Sequence, residues 1–178
     1  MKRASAIAVL GLLAPMIQGA LACFVPAGWV PDAGFLLVMA LGLAWPGVVT
    51  GALLATGVGF VDDLLSGSLL GQHALLWLCA FGTARVVSSH VNLHGVPTQM
   101  VLTASLTLGA GLAMSALTAF FSPQAGAGLA SGAALLRHAA VNALTSPLAI
   151  SGVTALLARL DDESGRRVLR LEPRRLSP

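Results

Sequence analysis

Apolar residues gather into six runs along the chain, separated by short polar or Pro/Gly-rich breaks. The first run covers about 4–24. A loop with two prolines follows over 25–32, and the second run covers about 33–45. Pro46-Gly47 then marks a tight turn. The third run, about 48–61, ends on an acidic pair, Asp62 and Asp63. The fourth covers about 69–88, the fifth about 98–121 and the sixth about 133–157. A polar loop at 90–97 precedes the fifth, and a Pro/Gly/Ser-rich link precedes the sixth. A helix needs about 20 apolar residues to cross a bilayer. The second and third runs fall short of that, so they read as two helices joined by a minimal turn, or as a partly re-entrant pair. The pattern predicts an all-α integral membrane protein, a bundle of six transmembrane helices or of five.

Composition removes the soluble alternative. The 178 residues are 56% hydrophobic and 10% charged, with a mean hydropathy of +0.86. A soluble domain carries about 25% charged residues. The ten charged residues after Leu157 cannot be buried. The division is therefore a transmembrane helical domain over 1–158 and a charged cytoplasmic tail over 159–178. No basic stripe interleaved with aromatics is present, so no nucleic-acid partner is expected. Cys23 and Cys79 lie in apolar runs and read as small hydrophobes. Neither sits at a metal-ligand spacing, and no cofactor is expected. The start, Met1-Lys2-Arg3 before an apolar run and Ala20-Leu21-Ala22, has features of a cleaved signal. Its length and the runs that follow favour an uncleaved first helix.

Lys and Arg in short flanks set orientation. With six spans both termini share one side, which holds Lys2, Arg3, Arg85 and the six tail arginines. The opposite loops hold Asp32, Asp62 and Asp63. Both termini are expected in the cytoplasm. An odd count of spans would set the basic start and the basic tail on opposite sides. Trp29 and Trp45 fall where indole rings favour the membrane interface.

Small residues recur every fourth position at Gly47, Gly51, Ala55 and Gly59, and the spacing continues through Asp63, Gly67 and Gly71. Such a ridge lets a neighbouring helix backbone come close. Ser105, Gly109 and Ala113 make a second ridge. Packing within the bundle is the favoured reading of both, and contact with another membrane protein is the alternative. Pro15 and Pro147 fall inside the first and sixth runs, where kinks are expected.

Ionisable residues at membrane depth point to function by default. The inventory is Asp62, Asp63, His73, Arg85, Arg137 and His138, with Ser66, Gln72 and Asn142 beside them. Asp62 and Asp63 share a depth with Arg137, so an ion pair between one of them and Arg137 is expected. Ser66 stands four residues after Asp62 and is expected to order the acidic turn. Adjacent carboxylates could support acid–base chemistry. On a helix, however, neighbouring side chains diverge by about 100°, and no hydrolase, zinc-protease or phosphate-loop motif is present. A structural reading is preferred over a catalytic one. His90 and His94 lie four apart with Asn92 between them, before Gly95-Val96-Pro97, and read as solvated loop residues.

The segment G-F-V-D-D-L-L-S-G-S-L-L-G-Q-H-A-L, from Gly59 to Leu75, resembles the bacterial rod shape-determining protein MreD family. That family's pattern is a glycine-rich helix, then D-x-L-S-G, then L-G-x-x-A-L. Here it falls on Asp63, Leu65, Ser66, Gly67, Leu70, Gly71, Ala74 and Leu75. Asn142 followed by Pro147 in the last run is also similar. The resemblance implies a non-catalytic scaffold or regulatory subunit of the cell-elongation (rod) complex in the inner membrane. It implies partnership with an MreC-type single-span periplasmic protein and with the shape/elongation glycosyltransferase and its class B transpeptidase. The actin-like MreB filament and membrane lipid complete the expected partners. A fold like the six-helix substrate-binding subunits of energy-coupling-factor vitamin transporters is implied too. Asp63, the aspartate aligned with D-x-L-S-G, is expected to matter most.

That implied fold supplies a rival, the substrate-binding membrane subunit of a vitamin transporter. Such a subunit needs a pocket near the outer face with convergent polar and aromatic groups. The chain has no tyrosine and three tryptophans, and few polar loop residues, which favours the scaffold.

Overall fold

A computed structural model of the chain describes residues 2–26, 28–90, 95–121 and 132–171, with side chains in the last segment described through Asp161. The described residues form six helices and no strand. They are α1 (Lys2–Ala22), α2 (Ala33–Ala44), α3 (Val48–Ser66), α4 (Gln72–His90), α5 (Val96–Phe121) and α6 (Gly132–Leu171). Four of them, α1, α3, α5 and α6, are long and apolar enough to cross a membrane. The expected link at 122–131 and the residues Asn92 and His94 lie outside the described residues. Val96 and Pro97 open α5 instead of closing a turn, since proline is tolerated in a helix's first turn.

The shortest helix is the centre of the molecule. α2 has 12 residues, and every one from Gly34 to Gly42 is buried. It packs against α1, α3, α4 and α6. A helix that is apolar all round buries all of its faces, and A-G-F-L-L-V-M-A-L-G-L-A is such a sequence. At 1.5 Å per residue it is about 18 Å long, against a hydrocarbon core of about 30 Å. Its ends therefore lie within the bundle, and its unpaired backbone groups need partners there.

Both ends find them. At the C-terminal end the Arg85 guanidinium, from α4, donates to the carbonyls of Trp45 and Pro46. Trp45, expected at an interface, is instead 5% exposed in the core, and its indole N–H donates to Thr50 Oγ1 at 2.8 Å. Arg3 and Asp161 pair, joining the start of α1 to α6. This is the basic end of the bundle. The opposite, acidic end gathers Asp32, Asp62 and Asp63, described below.

Close approach of backbones holds the long helices together. A Cβ on Gly59 would stand 2.6 Å from the Ala74 Cα and the His73 carbonyl, so α3 and α4 touch there backbone to backbone. Gly51 leaves room for the Phe81 ring. The first small-residue ridge is thus an internal packing surface, with Gly51, Ala55, Gly59 and Asp63 all buried. The second is not. Ser105 and Gly109 face outward, and α5 turns Thr103 and Thr107 inward instead. Its close approach is at Gly111, against Leu135 of α6.

α6 has 40 residues and runs without interruption past residue 158, so the charged tail begins as helix. Pro147 lies inside it and leaves the Ala143 carbonyl without its usual donor. The Ser146 hydroxyl donates to that carbonyl at 2.8 Å.

Candidate functional site

Asp63 is 1% exposed, and its carboxylate caps a helix that is not its own. α3 ends at Gly67 and α4 starts after Gly71, so the chain reverses in five residues. Both glycines hold positive φ, 65° and 92°, a region that L side chains rarely occupy. The reversal brings the first amides of α4 under the last turn of α3. Asp63 Oδ2 accepts the N–H groups of Gly71 at 2.8 Å and Ala74 at 3.3 Å. Oδ1 accepts the His73 N–H at 2.8 Å, the His73 ring Nδ1–H at 2.8 Å and the Ser68 hydroxyl at 3.0 Å. A helix start favours negative charge and offers unpaired N–H groups. Five donors on one buried carboxylate make this a locked joint between α3 and α4.

Asp62, one residue earlier, points elsewhere, as the 100° step of a helix requires. Its Oδ2 accepts the Trp77 indole N–H at 2.6 Å. It also lies against α2, because a Cβ on Gly34 would meet Asp62 Oδ2 at 2.5 Å. The start of α2 is held from three sides. Asp32 caps it, accepting the Phe35 N–H at 2.9 Å. Gln18 of α1 accepts the Ala33 N–H at 2.8 Å. Asn142 of α6, fully buried, accepts the Asp32 N–H at 2.8 Å through Oδ1. Its Nδ2 stands 3.4 Å from both Thr107 Oγ1 and His138 Nε2. Burial pushes the Asp32 carboxyl above its usual range, and amide donors pull it back.

The expected ion pair with Arg137 gives way to other partners. Asp63 is taken by His73, and Asp62 by Trp77. The Arg137 guanidinium lies against Gly28 and 6.0 Å from the Trp29 ring centroid, over the loop before α2. Asp63 is enclosed between α3 and α4, out of reach of the α6 start. Ser66 does not reach Asp62 either; it donates to Ser68 Oγ at 3.0 Å, which in turn donates to Asp63. Gly47 precedes α3 as its N-cap residue, at the far end from the acidic group. Of the residues singled out from the sequence, Asp63, Gly67 and Gly71 meet in one joint, with Gly59 just below. Asp62 and Asn142 meet at the start of α2.

Trp77, Gln18, Asp32 and Ser68 complete the site and were not among the expected site residues. The indole and the amide look like ordinary apolar-helix residues until the fold brings them to the carboxylates. Two cavities flank this group. One, of about 200 Å³, lies among α1, α2, α3 and α4 and is lined by Gln18, Asp32, Asp62, His73 and Trp77. The other, of about 160 Å³, lies toward α5 and α6 and shares Asp32, His73 and Trp77 with the first. Among the described residues no three metal-ligating side chains converge.

Comparison with protein-family models, with curated proteins and with solved structures finds no match to this chain.

Proposed function

We propose that the chain is a non-catalytic scaffold or regulatory subunit of the bacterial cell-elongation complex, of the MreD type. In this reading its six-helix bundle sits in the cytoplasmic membrane with both termini inside, and the acidic end faces outward. Its role is assembly: it presents helix surfaces to an MreC-type partner and to the glycosyltransferase–transpeptidase pair, and through them to the MreB filament. The observation that carries the reading is the use made of D-x-L-S-G and L-G-x-x-A-L. In these residues Asp63 accepts five hydrogen bonds, and Gly67 and Gly71 supply the turn. A carboxylate so fully engaged serves architecture, and the resembling motif is then a folding joint. The like-signed grouping of Arg3 and Arg85 away from Asp32, Asp62 and Asp63 supports the orientation. The enclosure of the short α2 by four helices supports a bundle in which α2 and α4 belong to the membrane domain.

Depletion in a rod-shaped host, followed by microscopy, tests the reading. Rounding of the cells, restored by the native chain and not by Asp63→Ala, is expected. Normal rods after depletion would sink it, and a loss of vitamin uptake instead would favour the transporter reading.

A further inference from the structure

The six helices divide into a body, α1 to α4, and a flank, α5 with α6. α5 meets the body along α4, and α6 meets it chiefly along α2. The seam between the two parts is poorly filled at the acidic end. The cavity of about 160 Å³ lies in it, with Asp32, His73 and Trp77 on the body side and Thr107, His138 and Asn142 on the flank. A second cavity, of about 450 Å³, opens between α4 and α5 beside Leu75, Leu117 and Phe121. Such gaps forfeit the contacts that hold packed helices together. On the inward face of α5 the fully buried Thr103 hydroxyl has no hydrogen-bond partner among the described residues, which costs the closed seam further free energy. The basic end differs. There Arg3 of α1 pairs with Asp161 of α6, and Ile150, Val153 and Leu157 of α6 join the common core. The seam is anchored at one end and weak at the other.

Polar side chains clasp the weak end. Gln72 of α4 donates to the Met114 carbonyl and to Thr118 Oγ1 of α5, each at 3.1 Å. Asn142 of α6 accepts the Asp32 N–H at 2.8 Å, and at the rim Arg137 rests over the Trp29 ring. The Asn142 amide can stand only one way round. Its oxygen must meet the Asp32 N–H. Its Nδ2 must meet Thr107 Oγ1, because the Thr107 hydroxyl already donates to the Thr103 carbonyl at 2.8 Å. That same Nδ2 lies 3.4 Å from His138 Nε2, so this ring nitrogen has to accept. A neutral histidine can do so with its proton on Nδ1, whereas in the imidazolium both ring nitrogens are donors. A second proton on His138 therefore sets an N–H against the Asn142 N–H₂. Turning the amide over would relieve that contact and lose both the Asp32 and the Thr107 bonds. The other titratable groups on this cavity are Asp32, at the start of α2, and His73, from α4. α5 contributes Thr107, Gly111 and Met114, which do not titrate, and Arg137 of α6 is turned to Trp29. Protonation of His73 strengthens its contact with Asp63, 2.8 Å away, and leaves the clasp alone.

We propose that His138 and Asn142 form a proton-operated clasp: protonation of His138 frees Asn142 from the start of α2, and α5 with α6 swings away from α1 to α4 at the acidic end. The basic end acts as the pivot. The device is a two-state element in which a local charge change biases a packed seam. It is independent of the scaffold role, since it rests on the seam and not on the Asp63 joint.

The test measures distances between spin labels on the full chain in proteoliposomes, with the exposed Cys23 and Cys79 replaced by serine. One pair spans the seam, at Leu64→Cys on α3 and Phe120→Cys on α5, both exposed positions. A reference pair stays within the body, at Leu53→Cys and Val86→Cys, also exposed. Acidification from about pH 8 to about pH 4.5, well below the ordinary histidine value, should lengthen the seam distance and leave the reference distance unchanged. His138→Gln can still accept from Asn142 and cannot gain a charge, so it should hold the short distance throughout. Asn142→Ala lacks the clasp and should show the long distance already at the higher pH; if it does not fold, the His138→Gln comparison decides. A seam distance that ignores pH, an acid shift that persists in His138→Gln, or a folded Asn142→Ala that stays closed would each overturn the proposal. So would an equal shift in the reference pair, which would mark general loosening of the bundle.

Discussion

One oxygen of Asp63 accepts both the backbone amide and the ring Nδ1–H of His73, each at 2.8 Å, although the two residues belong to different helices. The α3–α4 joint therefore depends on a side chain and on the register of the turn between them. If the turn lost a residue, both contacts would go.

Asp63→Ala is expected to be the most damaging single change in the chain. It leaves the Gly71 and His73 amides and the His73 ring without their acceptor, and removing one partner of a buried pair costs about 3–5 kcal/mol. Asp63→Asn keeps the shape and half of the acceptors, and should cost less. Thermal unfolding in one lipid or detergent system would rank them. Equal stability of Asp63→Ala and the native chain would contradict the joint.

Much of this was legible in the sequence. Six apolar runs became six helices, because length and hydrophobicity fix such segments before any packing occurs. Asp63 was picked out by its spacing from Gly59, and that spacing holds because α3 stays helical through Ser66. What was hidden depends on which helices become neighbours. Nothing in periodicity says that Asp62 would find Trp77, 15 residues on, before Arg137. Nor could spacing alone separate the ridge on α3, which meets a backbone, from the one at Ser105 and Gly109, which meets none.

Two glycines on α3 should answer substitution in opposite ways. Gly59→Ala places a methyl 2.6 Å from α4 backbone, which cannot swing aside as a flexible side chain would. Overpacking of this kind costs about 1–3 kcal/mol. Gly57→Ala meets nothing within 4 Å, so the helix should gain up to about 1 kcal/mol from the better helix former. Paired unfolding curves check the sign of each. A tolerated Gly59→Ala would mean that α3 and α4 do not touch.

Arg85→Met should destabilise the centre of the bundle. The guanidinium serves two carbonyls at the end of α2, Trp45 and Pro46, and hydrogen bonds to charged groups contribute about 1.5–3 kcal/mol each. Arg85→Lys should restore part of the loss, because an ammonium keeps the charge but not the planar fork that reaches both oxygens. Hydrogen exchange of the Ala44–Val49 amides, measured alongside stability, should rise in Arg85→Met. Unchanged exchange would place the strength of this turn elsewhere.

The partners of Asp62 can be separated by double-mutant cycles. Asp62→Ala with Trp77→Phe removes both ends of a 2.6 Å hydrogen bond, so the pair should couple by about 0.5–3 kcal/mol. Asp62→Asn with Arg137→Gln joins residues whose recorded neighbours differ: Trp77 and Gly34 for one, Trp29 and Gly28 for the other. Their effects should add within about 0.5 kcal/mol. A charge swap between Asp62 and Arg137 should likewise fail to rescue either single change. Rescue by the swap would restore the ion pair that charge and depth alone suggest, and would require α6 to approach α3 more closely than it does here. Strong Trp77 coupling with additive Arg137 effects would instead assign Asp62 to the α3–α4 contact through the indole.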